Sequence, residues 1–357
     1  MAKRVFNFSA GPAMLPLDVL EASAAALVNY KDKGFGIAEV SHRGKDFDAV
    51  LDEAIARCRS LVGISNNYDV LFLQGGATQL FTTIPMNFLQ NSADFIVTGE
   101  WAKKAYEAAK PFGATNLLAT SESANFDHIP TGWKTNANAS YLHICANNTI
   151  YGTQWSKFPE HPCLIADMSS EIMSRPWDMN KFALVYAGAQ KNLGPSGVVL
   201  AIVRKDLYER IPKTVAKIFN FKAHAEAKSC LNTPPTFGIY MLLETFRWLE
   251  KQGGLTALEK RNEQKAKLVY DAIDRAPNFY QGTVKDIPNR SRMNITFKLT
   301  SEPLTEQFLK EAEQKSLVAL KGYRTVGGVR ASCYNAMPVE GCQALAQHID
   351  EFAKAHG

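Results

Sequence analysis

Apolar residues recur at three- and four-residue steps through Phe47, Val50, Leu51, Ala54, Ile55, Cys58, Leu61 and Val62. That spacing predicts an amphipathic helix with one buried face. Next comes the short apolar run Val70–Leu73, stopped at once by Gly75-Gly76, and then a second helical stretch near Leu80–Leu89. The alternation continues with a strand at Phe95–Val97, a helix at Trp101–Ala109, and strands at Tyr141–Cys145, Cys163–Ala166, Ala183–Tyr186 and Val198–Val203. Short apolar runs alternating with helices imply βαβ units and a mainly parallel sheet. In such sheets ligands sit beyond the carboxyl ends of the strands. The stretch Ala119–Ser140, with Gly, Asn, Thr and Pro, reads as a long loop covering one face.

The texture changes after about residue 255. A charged helix, Leu255–Ile273, is followed by a strand (Met293–Leu299), a helix (Leu304–Lys315), a strand near Val329–Cys333 and a final helix (Val339–Ala355). The fold class expected is therefore α/β. A large domain, residues 1–255, holds a mainly parallel sheet flanked by helices, and residues 256–357 form a smaller C-terminal α+β domain.

Composition narrows the function classes. The 357 residues carry 40 Lys+Arg against 35 Asp+Glu, a net of +5, spread without a block of like charges. That argues against a nucleic-acid arm or a polybasic membrane patch. No apolar run approaches the roughly 18 residues that span a bilayer. The start of the chain, Met-Ala-Lys-Arg-Val-Phe-Asn-Phe-Ser, lacks an apolar core of signal-peptide length. Six scattered cysteines without a C-x-x-C pair read as reduced thiols of a cytoplasmic protein.

Several polar residues fall just past strand ends. Gly75-Gly76-Ala77-Thr78 sits between a strand and a helix start, where glycines allow a tight turn and free amides favour an anion. A plain βα turn would look the same. Asp167 closes the run Cys-Leu-Ile-Ala, so its carboxylate is near-buried and needs a partner, unless it only caps the segment that follows. Lys191 follows the strand and turn ending in Gln190, and desolvation there would favour the neutral, nucleophilic amine. Trp101 offers a flat face for a planar ring, or simply core packing. Arg43, Arg324 and Arg330 are candidate anion clamps, and Arg330 stands inside an otherwise apolar strand where an unpaired charge is costly. Cys333 lacks an evident base and reads as a buried thiol.

The order of these groups, with the stretches 6–13 (Phe-Asn-Phe-Ser-Ala-Gly-Pro-Ala), 39–44 (Glu-Val-Ser-His-Arg-Gly), 167–170 (Asp-Met-Ser-Ser), 186–197, 232–237 (Asn-Thr-Pro-Pro-Thr-Phe) and 327–337, resembles the class V aminotransferases. These are fold type I enzymes that use pyridoxal 5′-phosphate, and the likeness runs along essentially the whole chain. The resemblance implies transfer of the amino group of L-glutamate to 3-phosphohydroxypyruvate in a ping-pong cycle, giving O-phospho-L-serine for serine biosynthesis. The 4-phosphohydroxythreonine pair of pyridoxine biosynthesis is a further implied substrate.

It also implies that Lys191 forms a Schiff base with the cofactor, Asp167 pairs with the pyridine nitrogen and Trp101 stacks on the ring. Ala77, Thr78 and Gln190 would hold the phosphate, and Thr149 would bond near the ring hydroxyl. Asn232 and Thr233 would come from a second subunit, making a homodimer with shared sites. Arg330 would clamp the α-carboxylate, while His42, Arg43 and Arg324 would recognise the distal acidic group. No metal, nucleic acid or membrane is implied. Three positions depart from many relatives of this kind, namely Tyr323, Asn148 and Glu171. The alternatives are another class V enzyme, such as a cysteine desulfurase, and a non-catalytic binding module.

Overall fold

The computed structural model describes residues 4–136 and 138–357. The first three positions of the N-terminal stretch and one position of the Ala119–Ser140 loop lie outside them. The first half contains β1 (Phe6–Asn7), α1 (Leu17–Val28), α2 (Lys45–Val62), β2 (Tyr68–Gly75), α3 (Ala77–Phe88), β3 (Ser92–Val97), α4 (Glu100–Ala109), β4 (Ala114–Thr120), β5 (Leu142–Cys145), β6 (Leu164–Asp167), β7 (Leu184–Gly188) and β8 (Gly197–Arg204). The second contains α5 (Phe221–Glu226), α6 (Thr236–Lys251), α7 (Gly254–Asp274), β9 (Tyr280–Gly282), β10 (Asn294–Leu299), α8 (Glu302–Gln314), β11 (Leu317–Val318), β12 (Val329–Ser332) and α9 (Val339–His356).

Seven strands form the central sheet in the order β2-β8-β7-β6-β5-β3-β4. The pairs β7-β6, β6-β5, β5-β3 and β3-β4 are parallel, and β8 runs antiparallel to both β7 and β2. Two antiparallel steps restore direction, so β2 points the same way as β7. The carboxyl ends of β2, β6 and β7 therefore meet at one edge of the sheet. Both faces are buried, which is why the strands read as continuous apolar runs. One face packs Val70, Phe72, Leu142, Ile144 and Leu164 against α2 and α6. The other packs Phe95, Val97, Ile165 and Tyr186 against α3, α4 and Phe221 of α5.

A separate three-stranded antiparallel sheet, β12-β10-β9, packs with α7, α8 and α9 around Ile295, Phe297, Phe308 and Phe352. Phe8 joins this second core. The reason is strand pairing, because Phe6 and Asn7 lie parallel to Leu317 and Val318 of β11. The chain's beginning is thus tied to its last hundred residues. Ala119 and Thr120, read from sequence as loop, complete β4 at the sheet edge. No helix among the described residues is long and apolar enough to cross a membrane.

Candidate active site

At the carboxyl edge of the sheet lies a cavity of about 270 Å³, lined by Gly76, Ala77, Thr78, Trp101, Thr149, Asp167, Gln190, Lys191 and Arg330. These are the sequence-singled residues that the fold brings together. Most arrive from the ends of the sheet's strands. Asp167 is the last residue of β6, and Lys191 follows the turn after β7. Thr149 follows β5, Trp101 opens α4 and the Gly76–Thr78 turn joins β2 to α3. Arg330 comes from β12, where Val329 and Ala331 alternate into the second core and leave the arginine facing the cavity.

The helix α3 begins without a side-chain cap at Gly76. Its first amides have no intrahelical acceptor, so Ala77 and Thr78 present N–H groups and the positive end of the helix dipole to the cavity. Gly75 holds φ +106°, a conformation that favours glycine.

Asp167 is buried, and its carboxylate closes a local turn onto the segment that follows. One oxygen accepts from the Ser169 amide at 2.8 Å, and the other makes no hydrogen bond among the described residues. Ser169 was not singled out in sequence, yet it lines the cavity, and its hydroxyl accepts from the Gly188 amide at 2.9 Å. Its one advance sign was its place two residues after an aspartate, the spacing of a local side-chain-to-backbone turn.

Lys191 donates to the Thr149 hydroxyl at 2.7 Å, and its ammonium lies 5.9 Å from the Trp101 ring centre. The Ala10–Gly11 backbone packs on its stem, since a Cβ at Gly11 would fall 3.4 Å from Lys191 Cγ. Burial lowers the lysine's pKa, opposed by Asp167 and, behind it, Cys145, while the charge of Arg330 assists. Burial raises the Asp167 carboxyl in turn, with Lys191 and Ser169 opposing. Arg330 donates to the Thr149 carbonyl at 3.4 Å and stands 6.0 Å from the Tyr323 ring. Burial lowers its pKa, as expected for a guanidinium with no carboxylate partner among the described residues.

The remaining residues singled out in sequence do not line this cavity. His42 and Arg43 lie just before α2, and Arg324 is exposed on the turn before β12. Asn232 lines a neighbouring cavity with Gly75 and Gln79, and the Thr233 carbonyl accepts from Gln74. Cys333 is fully buried one residue past β12, and no cysteine is disulfide-bonded.

The three departures have local accounts. Tyr323 forms part of the cavity wall. Asn148 donates to the Thr98 carbonyl at 2.6 Å and accepts from the amides of Ile150 and Tyr151, which fixes the backbone around Thr149. Its amide fills the space where a Cβ on Gly99 would sit, at 2.4 Å, so glycine is required before α4. Glu171 is fully buried and is held by Arg175, whose guanidinium also reaches the Trp155 carbonyl at 2.6 Å.

Pyridoxal phosphate fits this chemistry. An uncapped helix start suits a phosphate, a carboxylate with one free oxygen suits a protonated ring nitrogen, and a cavity-facing amine suits an aldehyde. The buried indole nitrogen of Trp101, which has no partner among the described residues, leaves a donor available beside the cavity.

The profile of the family "Aminotransferase class-V" matches residues 5–345. The phosphoserine aminotransferase of Niallia circulans is 49% identical over 363 residues, covering 100% of both chains. The solved phosphoserine aminotransferase from Bacillus circulans subsp. alkalophilus superposes with a TM-score of 0.97 at 49% identity, over 99% of each chain. A PLP-bound phosphoserine aminotransferase from Trichomonas vaginalis superposes with a TM-score of 0.92 at 39% identity, over 97% of this chain and 99% of that one. A profile match over nearly the whole chain, close relatives and a cavity gathered at the carboxyl edge of the sheet agree, and the chain belongs to the class-V aminotransferase family.

Proposed function

We infer that the protein is a pyridoxal-phosphate-dependent phosphoserine transaminase, passing the amino group of glutamate to 3-phosphohydroxypyruvate in serine biosynthesis. The observation that carries the reading is the meeting of Asp167, Lys191 and the open start of α3 on one cavity wall.

Ala77, Thr78 and Gln190 would hold the cofactor phosphate, Trp101 the ring face, Thr149 the region of the ring hydroxyl and Asp167 the ring nitrogen. When bound, pyridoxal phosphate supplies an electron sink for the pair left on the substrate α-carbon. Lys191 would hold the cofactor through its Nζ, and once released its neutral amine would take the proton from the substrate α-carbon. An ionised Asp167 would favour a positive charge on the ring nitrogen beside it. Arg330 binds the α-carboxylate through two parallel N–H groups and so fixes which bond at the α-carbon faces Lys191. Phe81, Ile150 and Trp101 line the same space and limit water at the reacting atoms.

Both substrates carry an α-carboxylate and a second acidic end. The same chemistry extends to the 4-phosphohydroxythreonine pair. A second copy of the chain would bring Asn232 and Thr233 to the phosphate, and His42, Arg43 and Arg324 would recognise the distal acidic end. Support comes from their position outside the cavity of their own chain. This reading divides the chain into a cofactor-binding part, 1–255, and a smaller part, 256–357. The N-terminal strand then crosses to the second. We place the protein in the cytoplasm, where its six free thiols would stay reduced.

The test is a visible absorbance band formed on adding pyridoxal phosphate. Glutamate and O-phosphoserine should each bleach it in a single turnover, while alanine and free serine should not. Equal bleaching by alanine would contradict the acidic-substrate reading, and sulfur release from cysteine would point to a desulfurase. Mixing Lys191→Ala protein with an Asn232→Ala/Thr233→Ala variant should restore roughly a quarter of the activity after subunit exchange, and no recovery would contradict the shared site.

A further inference from the structure

Behind Lys191 lies a chain of buried polar side chains whose hydrogen-bond directions are fixed by backbone groups. It starts at the amides of Met293 and Asn294, which donate to the Ser291 hydroxyl at 3.0 and 2.9 Å. Ser291 must therefore spend its single hydrogen elsewhere, and it does so on Asn147 Oδ1 at 2.5 Å. That settles which end of the Asn147 amide is oxygen. Asn147 Nδ2 then donates to Asn294 Oδ1 at 2.7 Å and to the Ser170 hydroxyl at 2.8 Å.

Ser170 gives its own hydrogen to the Asn147 carbonyl at 2.9 Å. A carbonyl cannot donate, so this direction is forced as well. The Ser170 oxygen is left as an acceptor only, and the Thr149 hydroxyl donates to it at 3.0 Å. Thr149 has one hydrogen and has used it. Toward the cavity it can only accept, and it accepts from Lys191 Nζ at 2.7 Å. Asn147, Thr149 and Ser170 are each at least 97% buried, so water does not reset the pattern.

We propose that Ser170 is a positioning residue for the amino-transfer reaction, one that touches neither substrate nor cofactor and that locks Thr149 as a hydrogen-bond acceptor for the Lys191 nitrogen. The proposal rests on the reading of Lys191 given above and deepens it. An acceptor oxygen favours the charged, donating form of the amine. A Thr149 hydroxyl released from Ser170 can turn its hydrogen onto the lone pair and favour the neutral form. Ser170 therefore sets how readily Lys191 gives up its proton, a quantity on which its service as base depends. The charged and titratable groups facing Lys191 are Asp167 of β6, Cys145 of β5 and Arg330 of β12, and a change at Ser170 leaves all three in place.

The test compares wild type with Ser170→Ala and Ser170→Thr. Trace labelling of the cofactor-free protein with acetic anhydride across pH, with the Lys191 peptide quantified by mass spectrometry, reports the titration of that amine. Ser170→Ala should move the midpoint down by about one pH unit, the size expected for redirecting one hydrogen bond. Ser170→Thr, which keeps the hydroxyl, should restore the wild-type midpoint. The pH at which the visible band of the pyridoxal-phosphate-loaded protein changes should move in the same direction.

A merely structural role would lower the melting temperature of Ser170→Ala without moving either midpoint, and unchanged midpoints overturn the proposal. Should Ser170→Ala fail to fold, Ser170→Cys, a poorer acceptor of similar size, should show a smaller shift of the same sign, and no shift there overturns it equally. Failure to take up pyridoxal phosphate would contradict the function instead, and the labelling comparison would still decide on Ser170.

Discussion

Lys191 and Lys265 are both buried lysines, and burial lowers the pKa of both, Lys265 to about 8. Their surroundings differ. Lys265, on α7, donates to the carbonyls of Cys333, Tyr334 and Met337 at 3.0, 2.8 and 3.1 Å. Its three hydrogens meet three acceptors, and it lines none of the cavities described above. Lys191 has one hydroxyl partner and faces a cavity that it shares with a half-bonded aspartate. Burial and a shifted pKa therefore do not single out the reactive lysine. In the function proposed above, hydrogen-bonding capacity left open toward a cavity does.

The contrast also separates two kinds of work. Lys265 ties α7 to the turn that follows β12. In that turn the Asn335 amide donates to Asn192 Oδ1 at 3.0 Å, and the Tyr334 hydroxyl donates to the Ala10 carbonyl at 2.9 Å. The saturated lysine thus holds the second core against the neighbours of the unsaturated one.

Exchanging the two roles gives four measurements. Lys191→Ala should lower turnover more than about 10³-fold while leaving the melting temperature near wild type, because it removes the base but no saturated contact. Asp167→Asn should keep the visible band and reduce turnover by about 10² to 10³, as expected for losing a charge aligned with the ring nitrogen. Lys265→Met should do the reverse of Lys191→Ala. It removes a donor from three buried carbonyls, of which Tyr334's keeps the Met337 amide, and should cost about 2–4 kcal/mol in denaturant unfolding, with the visible band retained. Arg330→Lys should raise KM for both substrates about tenfold with a smaller change in kcat, because an ammonium cannot offer the bidentate fork. A Lys265→Met protein that is stable but colourless would break the comparison.

Much of the catalytic wall was legible in the sequence because parallel strands end where ligands bind, so polar residues after apolar runs carry position as well as chemistry. Asp167, Lys191 and the Gly75–Thr78 turn were found that way. The helices α1 and α6 were not. α6 opens with the nearly all-apolar run Phe237–Leu243, so only its second half, where Glu244, Arg247 and Lys251 recur at three- and four-residue steps, marks a helical period. α1 has the opposite problem, because Leu17, Leu20, Leu27 and Val28 are exposed while Ser23 is buried. β4 is an edge strand with largely exposed residues and shows no alternation.

In the site itself, the Thr149–Ser170–Asn147 chain could not be read in advance. Its members follow two different strands, and their hydroxyl and amide groups meet only after the sheet has formed. Of the residues that miss the cavity, Arg43 and Arg324 were legible as candidate anion clamps, while His42, Asn232 and Thr233 were visible only through resemblance, because nothing in one chain's spacing says which copy they would serve.

The most direct test of the account is chemical. Loading the protein with pyridoxal phosphate, reducing with borohydride and mapping the modified peptide should place the label on Lys191, in the peptide that carries Gln190 and Asn192. A label on Lys265 or another lysine, or none at all, would contradict the claim that the cavity-facing, unsaturated lysine is the one that reacts.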